Sequence, residues 1–304
     1  MTGFLYGHQG KRRKLKRAAG RIFRKMREMV IYALLVLIGL FLCSPVLLLL
    51  SGSITGDYEL TQALKPALLE GSGFISWDFI PEFPTFASFR KLLFYSPQFF
   101  MLFWNSIKMV LLILAGPLLV SVPAAWAFAV SKFPFRKILF TLYIVLMLMP
   151  FQVTMLSSYL VLDRLHMLDT QGAVILPAIF STFPVFLIYR GFRGVHPGLL
   201  EAGRMDGAGE LRLFVMIGLP LGSSGILSAF VLGFLEYWNM IEQPLTFLKN
   251  KALWPLSLYL PEIGLNQAGF AFAASVVTLI PALFIFLLGQ DYLEQGIAMS
   301  GLKE

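Results

Sequence analysis

Thiol and imidazole chemistry are nearly missing from this chain. Its one cysteine, Cys43, lies inside a long apolar run, so neither a disulfide nor a thiol-metal site can form within the chain. The three histidines, His8, His166 and His196, are far apart in sequence, and no His-Glu or Cys-x-x-Cys spacing supports a metal centre. A Gly-x-x-x-x-Gly-Lys-Ser/Thr loop is also lacking, so nucleotide phosphates have no cradle here. No spacing of nucleophile and base points to hydrolysis, and the apolar runs hold neither an acid and histidine relay nor an arginine ladder. The residues favour a non-catalytic protein with no cofactor of its own.

Charge is scarce as well. Only 14% of the 304 residues are charged, against about a quarter in soluble domains, while 57% are hydrophobic and mean hydropathy is +0.75. The apolar residues come in blocks near the length of about 20 that a bilayer span requires. Six blocks qualify, at about 30–51, 103–127, 138–158, 172–190, 215–238 and 268–289. The expected fold is therefore an all-α polytopic membrane protein with six transmembrane helices.

The net charge of +8 is distributed as a topology signal, not as a nucleic-acid surface. Lys11, Arg12, Arg13, Lys14, Lys16, Arg17, Arg21, Arg24, Lys25 and Arg27 all precede the first block, in a tail suited to anionic lipid head groups. The block after this tail is too long for the apolar region of a signal peptide and reads as a retained anchor. Lys132, Arg136 and Lys137 mark the turn at 128–137 as inside, and Arg190, Arg193, Arg204 and Arg212 do the same for 190–214. The intervening links at 52–97, 159–171 and 239–267 go outside, which predicts both termini in the cytoplasm. The expected division is a basic cytoplasmic tail (1–29), an anchor (30–51), an extracytoplasmic loop (52–97), a five-helix core (98–290) with a polar loop at 191–214, and a cytoplasmic tail (291–304).

Pro66, Pro81, Pro84 and Pro97 break the 52–97 loop into short helical pieces at most, and its aromatic residues suit the interfacial belt. Pro45, Pro117, Pro123, Pro150, Pro177, Pro184, Pro220 and Pro281 fall within or beside the spans, and a bundle with so many kinks fits a moving or cavity-lining structure better than a passive anchor. Lys108 lies about one turn into the second block, near enough to its end to snorkel to head groups. Glu236, Tyr237, Trp238, Asn239, Gln152 and Asn105 offer carboxylate, amide and aromatic groups at membrane depth and are the candidate pathway or gate.

The polar stretch 201–220 stands apart. Pro197 suits a first helical turn, and Glu201 is expected near the start of that helix, three residues before Arg204 for a local pair. Gly207 and Gly209 are expected to break the helix, and Asp206 to cap the next one. Small residues between charged ones (Glu201, Ala202, Gly203, Arg204, Asp206, Gly207, Ala208) make a knob that a soluble partner can grip.

Glu201-Ala202-Gly203, Asp206-Gly207-Ala208 and Ile217-x-Leu219-Pro220 together resemble the Glu-Ala-Ala…Gly…Ile-x-Leu-Pro signature of permease subunits of binding-protein-dependent ABC importers, with Gly203 in place of the second Ala. Asn105-Ser106, Ala124 through Arg136, Tyr237-Trp238-Asn239 with Pro244-Leu245, and the tail Gln290-Asp291-Tyr292, Gln295-Gly296-Ile297, Gly301-Leu302-Lys303 are similar to the carbohydrate, maltose permease G-like branch. The resemblance implies a type I ABC importer permease fold in a bacterial cell membrane. It also implies a second homologous permease, an ABC ATPase dimer that binds ATP-Mg and docks on Glu201 to Ala208, and an extracytoplasmic sugar-binding protein, with an oligosaccharide as cargo. A permease for glycerol phosphate, polyamine or lipid head groups, an ion-coupled secondary transporter and a non-transporting scaffold remain as alternatives.

Overall fold

The computed structural model describes the backbone of residues 4–68, 73–260 and 267–301, and the side chains of 25–66, 73–260 and 267–294. The basic side chains before Lys25, the residues 261–266 and the tail motif from Gln295 onward lie outside the described side chains. Among the described residues all regular structure is helical. The order is α1 (Phe4–Ile54), α2 (Asp57–Leu68), α3 (Ala87–Tyr95), α4 (Pro97–Leu119), α5 (Ser121–Val130), α6 (Arg136–Met147), α7 (Phe151–Arg164), α8 (Gly172–Ile179), α9 (Thr182–Arg193), α10 (Pro197–Met205), α11 (Glu210–Leu213), a π turn (Phe214–Gly218), α12 (Leu219–Leu221), α13 (Ser223–Trp238), α14 (Glu242–Phe247), a 3-10 turn (Lys251–Leu253), α15 (Leu256–Tyr259) and α16 (Ala268–Gly301).

Among the described residues, four stretches are long and apolar enough to cross a bilayer: Lys25–Ile54, Pro97–Val130, Gly172–Arg193 and Ala268–Glu294. Two bent pairs each make a further span if counted together, α6 with α7 at 99° and α11–α12 with α13 at 67°. The third and fifth apolar blocks, expected as single spans, are therefore broken. At the first break Pro150 is extended (φ −67°, ψ 149°), and a proline also disfavours helix at the residue before it. At the second, Pro220 has no N–H to return to the Met216 carbonyl. The helix widens into the π turn just before it and bends at Gly222 just after.

α9 packs between α5 and α13, and α13 lies against α16. At the crossing of α9 and α13 the backbones nearly touch: a Cβ added at Gly191 would sit 2.9 Å from the Gly225 Cα. The core is divided along α13. One cluster, around Phe99, Met109, Phe234, Trp238 and Phe270, fills the end where α13 finishes. The other, around Trp126, Ile188, Phe192, Leu200 and Leu213, fills the end where it begins. Nothing in the apolar window of α1 is buried within the chain, and Cys43 is exposed on it.

Candidate functional site

Two features stand at opposite ends of α13: a protruding polar corner before it and a cavity beside its last turn. The corner is built by local backbone chemistry. His196 caps α10, its Nδ1 accepting from the Gly198 N–H at 3.1 Å, and Pro197 occupies the first turn where a missing donor costs nothing. The helix closes on Gly207, which takes the left-handed conformation (φ +78°). Gly207 N–H donates to the Arg204 carbonyl and Ala208 N–H to the Gly203 carbonyl, both at 3.0 Å, the paired closure of a Schellman motif.

Three expectations change here. Asp206 ends α10 instead of capping the next helix, which starts after Gly209 without a side-chain cap. Gly209 itself is extended (φ −68°, ψ 163°), so Gly207 alone makes the turn. Glu201 sits in the middle of α10, and Arg204 pairs with Glu210 across the turn, Nε to Oε1 at 2.9 Å and Nη2 to Oε2 at 3.4 Å. The reason is geometric: the reversal at Gly207 brings the first residue of α11 in front of the guanidinium. The Glu210 hydrogen bond, with its charge, raises the Arg204 pKa further, so this residue stays cationic throughout.

The inner side of the corner is anchored by Leu200, 5% exposed, and Leu213, 1% exposed, with Gly203 so close that an added Cβ would lie 2.5 Å from Leu213 Cδ2. The outer side presents Glu201, Ala202 and Asp206 together with Met205 and Leu211, which are 88% and 76% exposed. Behind the corner, the Trp126 ring meets Phe192 edge-on at 5.2 Å and Phe214 of the π turn at 5.6 Å.

The cavity, about 380 Å³, opens where α6 and α7 diverge. Glu236 and Tyr237 line it with the polar groups of Thr154, Ser158, Thr182 and Gln243, while Met147, Phe180 and Phe183 supply apolar walls. Tyr237 is hydrogen-bonded to Ser181, which also faces the cavity. Thr154 and Ser158, four residues apart and so on one helix face, are a signal that sequence reading passed over. Polyhydroxyl and aromatic-tolerant contacts are what such a lining can make; among the described residues it brings no nucleophile to a base.

The other candidate pathway residues are placed differently. Asn105 is buried, and its Nδ2 donates to the Ala252 and Trp254 carbonyls at 2.8 and 3.2 Å. Trp238 is 3% exposed, donates to the Thr278 carbonyl at 3.2 Å and stacks on Phe234 at 5.5 Å. Asn239 caps the end of α13, donating to the Leu235 carbonyl at 2.9 Å. Gln152 is exposed on α7 and donates to Glu242 Oε1 of α14. Lys108 makes no ion pair among the described residues.

Residues 118–299 match the family model described as the binding-protein-dependent transport system inner membrane component. The match takes in the corner and the cavity alike and covers more than half of the chain. The chain belongs to this family. It is an inner-membrane permease component of such a transport system, with several apolar helices of membrane-spanning length. The arabinooligosaccharides transport system permease protein AraQ of Bacillus subtilis is 29% identical over 272 residues, 88% of this chain and 93% of that one. The sn-glycerol-3-phosphate transport system permease protein UgpE of Yersinia enterocolitica is 30% identical over 210 residues, 67% of this chain and 75% of that one. The fold is shared with a chain of a bacterial ABC transporter involved in the import of the acidic polysaccharide alginate, at a TM-score of 0.76 and 20% identity, covering 88% of this chain and 96% of that chain.

Proposed function

We propose that this permease forms one half of the translocation pathway of an ATP-driven importer for an oligosaccharide, working with a second homologous permease. In this reading α6–α7 and α11–α13 count as one span each, giving six, and both termini and the 191–214 loop lie in the cytoplasm; the alternation of basic and basic-poor links supports it. The basic tail 1–29 and anchor 30–51 then precede the external loop 52–97 and the core 98–290, and 291–304 returns to the cytoplasm. Glu201 to Ala208 dock on an ATPase dimer that binds ATP-Mg, and an external sugar-binding protein delivers cargo to the end of the bundle where the cavity lies. Closure of the ATPases pushes the corner, and the bent spans convert that push into alternating access.

The observation that carries this reading is the braced corner. A short helix closed by a left-handed glycine and an Arg204–Glu210 pair holds Glu201, Ala202, Met205 and Asp206 outward and exposed. An arabinooligosaccharide permease and a polysaccharide importer among the similar proteins support carbohydrate cargo. Glycerol phosphate is the second reading, favoured by the similarity to a permease for that compound.

Purification with native partners tests the assignment. An ATPase is expected to co-purify and to be lost on Glu201→Lys or Gly207→Pro while membrane insertion is retained. Full ATPase association in both variants refutes docking at this corner, and uptake that survives ATP depletion but collapses with an ion gradient refutes the ATP-driven mechanism.

A further inference from the structure

The cavity beside α13 has a sign. Of the residues lining its 380 Å³, only Glu236 carries a charge; the others are neutral, and no Lys or Arg is among them. Hydroxyl and amide groups surround that carboxylate, from Thr154, Ser158, Ser181, Thr182 and Gln243, so the site has hydrogen-bonding capacity without a cation to neutralise an anion. A second carboxylate, Glu242, lies one residue from the lining and is held by Gln152. The cations nearest in sequence are Lys249, two residues past Phe247 and outside the lining, and Lys251 of the adjoining 3-10 turn, which sits 5.0 Å over the Trp254 ring. Apolar walls such as Phe180 and Phe183 lower the local dielectric and lengthen the reach of Glu236.

We infer that Glu236 is a specificity-determining charge filter, which lets uncharged polyhydroxyl cargo share the cavity and repels cargo bearing carboxylate or phosphate groups. The inference rests on the cavity being part of the translocation pathway. Within that reading it separates the two cargo classes: neutral oligosaccharides pass, whereas uronic-acid polymers and sugar or glycerol phosphates meet a like charge with no cation among the residues that line the cavity. Repulsion of this kind confers selectivity by penalising the wrong cargo, without tightening contacts to the right one.

Charged thiol reagents read the potential directly. Phe180→Cys places a reactive group in the cavity lining once Cys43→Ser and removal of partner cysteines have cleared the background. The assembled importer in proteoliposomes is reacted with cationic trimethylammonium-ethyl and anionic sulfonato-ethyl methanethiosulfonates, each rate being normalised to a free thiol. The expected cation-to-anion rate ratio is well above one, falling about tenfold on Glu236→Gln, equivalent to about 1.4 kcal/mol, and persisting in Glu236→Asp. A ratio unchanged by Glu236→Gln, a preference for the anion, or a thiol closed to both reagents overturns the filter. ATP-driven uptake by the same preparations keeps the two proposals apart. Uptake with an unchanged ratio sinks the filter alone, whereas a shifted ratio without ATPase association sinks the coupling assignment alone.

Discussion

The two ends of α13 are held together by different physics. At the cavity end, connections are tied by side-chain to backbone hydrogen bonds across long sequence separations. Asn105 holds the Ala252 and Trp254 carbonyls, and Asp169 accepts from the Lys249 and Asn250 N–H groups at 2.9 and 2.8 Å. Ser106 accepts from Leu256 N–H at 2.8 Å, and Gln171 donates to the Leu253 carbonyl at 3.3 Å. At the corner end the joints are aromatic faces and close-packed glycines, with Trp126, Phe192 and Phe214 in mutual contact. Hydrogen bonds are directional and fix register, whereas apolar burial is non-directional and sets no preferred angle. The cavity end is therefore built to hold shape, and the corner end to shift while staying packed.

The contrast breaks most visibly at the helix crossing. Gly191→Val places side-chain atoms where the Gly225 backbone already lies, and the backbone has no rotamer with which to yield. The expected loss is about 3 kcal/mol, at the upper end for overpacking. It should register as a large fall in melting temperature by fluorescence-detected size exclusion, and melting like the wild type would show that α9 and α13 do not meet as described.

Next in size is Asn105→Ala. It leaves two carbonyls of the 250–254 turn without their donor, for about 1–3 kcal/mol. Amide exchange should rise around 250–256 and stay unchanged at the corner. A rise at both ends together would mean that the two halves of the core are one cooperative unit.

The sequence revealed these features unevenly. All six apolar blocks are legible from composition, because lipid demands long uncharged runs whatever the packing. Where the spans break is not. Pro150 and Pro220 stand at bends of 99° and 67°, while Pro45, Pro117, Pro177 and Pro281 remain inside helices. Proline removes a donor in every case, and tertiary contacts decide whether the chain bends there. Asn105 and Trp238 were legible as unusual polar or aromatic groups at membrane depth, but not as braces. The carbonyls they serve lie 147 and 40 residues away, beyond any local pattern. The corner is legible in residue type but only partly in pairing: Glu201 acts on Arg204 through its charge, while the hydrogen-bonded partner Glu210 meets it only after the chain has reversed at Gly207.

That reversal sets a smaller effect. Gly207→Ala must adopt φ +78° with a Cβ, at a cost of about 1 kcal/mol, and Gly207→Asn should cost less because Asn tolerates the left-handed region. Space is not the issue, as an added Cβ meets nothing within 4 Å. Melting is the measurement, and an equal penalty for Ala and Asn would point to a steric cause instead.

Gly203→Ala should change stability least, and it tests the compliance of the corner end most directly. The variant restores the small residue more usual at this place in the resembling signature. In mid-helix, Ala is favoured over Gly by about 1 kcal/mol. Against that, the new Cβ would lie 2.5 Å from Leu213 Cδ2 and 3.3 Å from Ile217 Cδ1. Both are the far ends of side chains that can rotate, unlike the backbone atoms facing Gly191, although Leu213 is 1% exposed and must displace its neighbours to do so. The two contributions nearly cancel, so the melting temperature should stay close to that of the wild type, and the Arg204–Glu210 pair should survive. Gly203→Leu, which needs several times the displaced volume, should melt well below both. If Gly203→Ala is as damaging as Gly191→Val, then the apolar packing behind the corner is as unyielding as the helix crossing, and the corner end cannot shift while staying packed.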